Sequence, residues 1–119
     1  MAAQMGLQII AASIASGQSL SAQVDIGPYL LKGILLPSGW TAASLTFQVS
    51  FDGGATWFEH YSYAGSETVF GQAAGVGEYI ALDPTLWGGV VSLKIRSGTQ
   101  AAPVAQASLA SLQLICRTN

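Results

Sequence analysis

Along this chain the apolar and polar positions alternate in short runs, with glycines and small polar clusters between them. Ser44 to Phe51 is the cleanest case. Leu45, Phe47, Val49 and Phe51 fall on one face, and Ser44, Thr46, Gln48 and Ser50 on the other. Ser19 to Ile26 repeats the pattern, with Leu20, Ala22, Val24 and Ile26 opposite Ser19, Ser21, Gln23 and Asp25. So does the stretch before Ser97, with Val91, Leu93 and Ile95 against Ser92, Lys94 and Arg96. A period of two is the mark of a strand with one buried face. Leu7 to Ala15 is short and apolar. Tyr29 to Leu36 is apolar on both faces, as a central strand is, and Pro37 ends it. Further strands are expected at Trp57–Tyr63, Ser66–Phe70, Glu78–Leu82 and Ser108–Arg117. Thr41–Ser44 and Pro84–Trp87 each have room for one helical turn. Ala101–Ala107 is alanine-rich, but Pro103 and the lack of caps argue against a helix. Eight or nine strands of ordinary length, with no helical partners, predict an all-β, jelly-roll-like antiparallel sandwich. At 119 residues it forms a single domain, 1–119, with 1–17 as an N-terminal arm or an edge strand.

Composition sharpens this picture. Half of the residues are hydrophobic and 8% are charged, against about 25% in an average soluble domain. The net charge is −2, and no basic stripe marks a nucleic-acid surface. No apolar run reaches the length of a spanning helix, and the N-terminal segment lacks the basic residues of a signal peptide. Neither nucleic acid nor membrane is an expected partner. A chain so poor in charge is expected to bury part of its exterior against other proteins. The lone cysteine, Cys116, makes no internal disulfide and is expected to pack as a small apolar group in the last strand.

Candidate chemistry is sparse. One Cys and one His supply no zinc set, and no cofactor motif is present. His60, in W-F-E-H-Y, has no nucleophile elbow to serve. Glu59, Glu67, Glu78 and Asp83 lie in or beside different strands, so nothing predicts a converging carboxylate pair. Asp25, Asp52 and Asp83 are the only candidates for a calcium ion, without a D-x-D-x-D run. G-Q-A-A-G-V-G, residues 71–77, is expected to be a loop and lacks the lysine of a phosphate cradle. Trp40, Trp57, Phe58, Tyr61, Tyr63 and Trp87 are the aromatic resources. Trp40 and Trp87, both in loops, are candidate partner or glycan contacts, or else lids on the ends of the core.

Residues 50–57, S-F-D-G-G-A-T-W, resemble the Asp-box of sialidases and related sugar-binding propellers. The motif Ser50, Asp52, Gly53, Gly54, Thr56 and Trp57 also has a local reading: Asp52 accepts from backbone N–H groups of the turn, Gly53 and Gly54 allow it, Thr56 starts the return and Trp57 covers it. One copy in a short chain makes no propeller, so the motif is expected to be a hairpin staple.

From Val24 to Arg117, G-I-L-L-P-S-G-W-T-A-A-S-L-T-F-Q-V-S-F-D-G-G-A-T-W followed by E-Y-I-A-L-D-P-T-L-W-G-G-V-V-S-L-K-I-R-S-G-T resembles small β-sandwich virion proteins of tailed bacteriophages. The resemblance implies a non-enzymatic capsid decoration or cement protein that contacts the major capsid protein, often as a trimer. A head-spike or tail component is the other form it takes. The alternative expectation is a carbohydrate-binding module on a host-recognition appendage. No catalytic residue is implied.

Overall fold

A computed structural model describes residues 6–62, 65–74 and 77–118. Among the described residues nine strands follow one another: β1 (Leu7–Ile14), β2 (Val24–Asp25), β3 (Leu30–Leu35), β4 (Ala43–Ser50), β5 (Phe58–Glu59), β6 (Phe70–Ala74), β7 (Tyr79–Ala81), β8 (Ser92–Ser97) and β9 (Ala110–Arg117). A 3-10 turn at Pro84–Trp87 precedes β8, where a single helical turn is expected. One sheet has the order β1-β9-β3-β7. The other has the order β2-β8-β4, with β5 and β6 both on the far edge of β4.

The pairings nest. β1 pairs β9, β2 pairs β8, β3 pairs β7 and β4 pairs β6, all antiparallel. The chain is one long two-armed ribbon, wrapped so that β9 also meets β3 and β8 also meets β4. Two interleaved Greek keys of this kind make a jelly roll. The all-β sandwich legible in the alternation is therefore the fold.

The core lies between the sheets. β9 alternates strictly, sending Ala110, Leu112, Leu114 and Cys116 inward. From the other sheet come Leu45, Phe47, Val49, Leu93 and Ile95. Trp87 fills the middle, edge-on to Phe47 with ring centroids 4.7 Å apart. Edge-to-face packing of this kind suits the ring quadrupoles. β1 is an edge strand of its own sheet along its whole length, with Ala12 and Ile14 buried, so residues 7–14 are not a free arm. Met1 to Met5 lie outside the described residues.

Several expectations need correcting. Phe51 and Val91 are exposed, because β4 ends at Ser50 and β8 begins at Ser92. In the Ser19–Ile26 run the inward positions are Ser21, Val24 and Ile26, and Ala22 is exposed. Leu20 bridges Arg96 whereas Val24 pairs Leu93, so four steps on one strand face three on the other. That extra residue inverts the alternation. Ser21 N–H donates to the Ile95 carbonyl at 2.8 Å, and its hydroxyl accepts from Ile95 N–H at 2.9 Å. Thr41–Ser44 is not helical; β4 begins at Ala43.

The strand expected at Trp57–Tyr63 is reduced to Phe58–Glu59, and its continuation beside β4 is Phe70–Ala74 rather than Ser66–Phe70. Between them residues 60–62 and 65–69 leave the sheet edge. His60 N–H donates to Phe47 O, Thr68 N–H donates back to His60 O, and Tyr61 bridges Glu67. Gly71 to Ala74 of the expected glycine-rich loop thus belong to a strand. Gly75 and Val76 of that expected loop, and Tyr63 of the strand expected at Trp57–Tyr63 with Ala64 after it, lie outside the described residues.

Candidate functional site

The turn at Ser50–Trp57 closes on itself. Ser50 Oγ donates to Asp52 Oδ1 at 2.8 Å and accepts from Gly54 N–H at 2.9 Å, and Thr56 N–H donates to Asp52 Oδ1 at 3.0 Å. The Thr56 amide, then the Ser50 hydroxyl, hold the Asp52 carboxyl below its ordinary 3.8. Gly53 and Gly54 take φ of 76° and 101°, which the turn requires. Gln23 lies where a side chain on Gly54 would be, and its amide donates to Gly53 O and Asp25 Oδ1. Trp57 lies half-buried under the Lys94 ammonium, 4.5 Å from its ring centroid. Ser50 Oγ, Asp52 Oδ1 and the Gly54 and Thr56 amides thus bond to one another within the turn, as a staple requires.

Beside the turn, the outer face of the β8–β4–β5 sheet carries a charge cluster. Arg96 reaches Glu59 with two parallel hydrogen bonds, 2.8 and 3.0 Å, and Glu67 at 3.4 Å. Gln48 Nε2 donates to Glu59 Oε2, and Thr46 Oγ1 donates to the Gly98 carbonyl. Glu67 in turn accepts from Gln100 N–H at 3.0 Å. The 60–69 excursion covers this cluster, which is why Thr46 and Arg96 are buried on a face that faces outward. Arg96 first, and Gln48 after it, hold Glu59 below its ordinary 4.5, against the opposing effect of burial.

At the end of β4, an open cleft of about 570 Å³ lies between β5 and the Asp83–Val90 turn. Ligand sites commonly enclose about 300–1,000 Å³. Phe51, Phe58 and Tyr61 line it and are 58, 54 and 51% exposed. The Phe51 and Phe58 rings stand 6.4 Å apart. Glu59, Ser62 and Asp83 supply polar groups, and the buried His60 ring backs the cleft. His60 Nε2 lies 2.8 Å from the Leu86 carbonyl, which only accepts, so Nε2 carries a proton. In the neutral ring, Nδ1 then accepts the Thr68 hydroxyl proton across 2.8 Å. Both nitrogens are engaged, as are both Glu59 oxygens. What the cleft offers is aromatic stacking surface.

The expected contact residues fall elsewhere. Trp40 and Trp87 are 3% and 0% exposed and belong to the core, so neither presents a ring to a partner or a glycan. Neither indole N–H has an acceptor among the described residues, so both rings are held by packing alone. Asp25 is engaged by Gln23 and Ser92, which hold it below its ordinary 3.8. Among the described residues, no three of His, Cys, Asp and Glu are grouped as a metal ion would need. Cys116 is buried in β9, and burial pushes its thiol up to about 11. The residue missing from the expectations is Phe51, whose place in an alternating run disguised it as core.

The outer face of the other sheet has no comparable polar cover. One row across it reads Ile9, Ile115, Gly33, Ala81, and the next reads Ala11, Gln113, Leu35, Tyr79. Neither row holds a charge. Ile9, Leu35 and Tyr79 are 52, 38 and 52% exposed, and the Tyr79 ring lies over Gly33, which has no side chain to displace it. No protein-family model matches the chain, and no curated protein matches it.

Proposed function

We propose that this chain is a non-enzymatic structural protein of a phage virion, a capsid decoration protein that stabilises the head through contacts with the major capsid protein and assembles as a homo-oligomer. The observation that carries the reading is the contrast between the sandwich's two outer faces. One is polar and satisfies its own charges. The other carries, around Ile9, Ile115, Leu35 and Tyr79, two mainly apolar rows without a charge, with Gln113 inside them and Arg117 at their margin. Obligate interfaces are apolar and poor in charge, and an exterior of this kind fits a neighbour better than it fits water. The jelly roll is shared by capsid and lectin domains, so topology supports this reading by analogy only.

The test is reconstitution. Capsids lacking the protein are heated with and without the purified chain added back, and bound copies are counted. Restored heat resistance with hundreds of copies per head is expected. Leu35→Lys combined with Tyr79→Lys, both on the exposed face, should weaken capsid binding at least about tenfold while leaving the fold intact. Capsids equally resistant without the protein, or a few copies per particle, would reject the reading.

The cleft supports a second reading, a carbohydrate-binding module on a host-recognition appendage. Phe51, Phe58 and Tyr61 take the stacking role expected of the tryptophans. Glycan-array binding lost in both Phe58→Ala and Tyr61→Ala, with capsid binding absent, would select it.

A further inference from the structure

We infer that β1 is a pairing edge for a second copy of this chain, and that two copies join β1 to β1, antiparallel, about a twofold axis through Ile10. β1 is paired on one side only, by β9, and among the described residues no strand occupies its other side. It is eight residues long, Leu7–Ile14, and contains no charge and no proline. Sheet edges in soluble proteins are ordinarily blunted by shortness, lysine, proline or a bulge, because unpaired N–H and C=O groups recruit other strands. β1 has none of these protections, and its register against β9 is unbroken.

The strand also points to its occupant. Among the described edges of the fold, β2 and β5 have two residues, β7 three and β6 five. In a pairing between copies, only β1 matches β1 in length. In an antiparallel pair, opposed residues share a face. Ile10 therefore stands opposite its own copy, Ile9 opposite Ala11 of the copy, and Leu7 opposite Ser13. No charge is buried or opposed in this register. Ile10, which packs at the margin of the core, would join the two cores into one layer. The same pairing sets the two apolar outer faces side by side, doubling the surface assigned above to capsid contact. The inference deepens the assembly reading by naming the contact between copies, and it rests on that reading only for its setting.

The test uses the full chain in sedimentation equilibrium up to about 100 µM, since dimer population follows protomer concentration. The expected mass is twice the 12.3 kDa of the chain. Ile9→Lys with Ala11→Lys places like charges opposite one another at two exposed positions. It should raise the dimer dissociation constant at least about tenfold with the circular dichroism unchanged. Independently, Ile10→Cys should give a disulfide-linked dimer on mild oxidation, reversed by thiol, while the buried Cys116 stays unlinked. A monomer at the highest concentration, a trimer, or a dimer that Ile10→Cys does not cross-link would overturn the pairing. Any of these could occur with capsid binding intact, and loss of capsid binding would leave a cross-linked dimer standing, so the two readings fail separately.

Discussion

Arg96 is the residue on which the outer polar face turns. Its guanidinium, 9% exposed, joins β8 to β5 through Glu59 and to the 60–69 excursion through Glu67. Paired and bidentate, the guanidinium satisfies carboxylates that burial would otherwise penalise. Arg96→Ala leaves Glu59 and Glu67 facing each other in a half-dry site. Breaking a fully enclosed pair costs about 3–5 kcal/mol; these carboxylates keep some solvent, so a loss of about 2–3 kcal/mol in urea unfolding is expected. The acid response follows from the same contact. Glu59 is depressed below 4.5 in the folded chain, so its contribution is full above that value and is lost as pH falls through the lower folded value. Asp25 and Asp52, depressed below 3.8, act in the same direction at lower pH. The unfolding midpoint should hold steady above pH 4.5 and fall below it. Glu59→Gln should lower the plateau and flatten the part of the slope nearest 4.5; an unchanged slope would mean that the Arg96 contact carries no linkage.

Individual elements show where local pattern decides structure and where it does not. β4 and β9 were legible because each sends one face into the core along its length; in β9 burial follows the alternation, while in β4 the apolar face alternates even though Thr46 and Ser50 on the other face are also covered. The staple at Ser50–Trp57 was legible because its bonds run between residues two to four apart. The split edge strand was not. β5 and β6 are separated by an excursion whose anchors, Arg96 and Gln100, are distant in sequence, and period two carries no record of them. The cleft shared that fate: Phe51 follows the last inward position of β4 by two, and only the turn after Ser50 reveals that it faces out. Two glycines test these backbone constraints. Gly98 has φ of 92°, and a Cβ there would meet the Val104 amide at 2.6 Å and Pro103 Cα at 2.8 Å, both main chain. Gly98→Ala should therefore destabilise by about 2 kcal/mol or more, because backbone cannot move aside. At Gly33, whose φ is ordinary, the obstructing group is the Tyr79 ring, which can swing into solvent. Gly33→Ala should cost under about 1 kcal/mol and displace Tyr79, read as a changed tyrosine fluorescence. Equal costs at the two positions would contradict this account.

At the scale of the whole molecule, what matters is how little charge is left to act at a distance. Ten residues of 119 are charged, and most have work inside the chain. Arg96 binds Glu59 and Glu67, Asp25 and Asp52 serve turns, and Lys94 covers Trp57. Glu78, Asp83 and Arg117 also make contacts within the chain. The rows around Ile9, Ile115, Leu35 and Tyr79 carry no charge, and a partner seated there would be held by burial and main-chain pairing. Such an interface responds to salt differently from an electrostatic one. Raising ionic strength from 0.15 to 1 M shortens the screening length from about 8 to about 3 Å, which weakens contacts between exposed charges and leaves apolar burial intact. The proposed association, with a second copy or with the capsid, should change less than about threefold between about 0.05 and 1 M sodium chloride. It should also show a negative heat-capacity change in calorimetry, the signature of apolar surface leaving water. A tenfold loss of affinity over that range would mean that the few charges steer binding after all. That outcome would reject the apolar face around Leu35 and Tyr79 as the proposed contact surface.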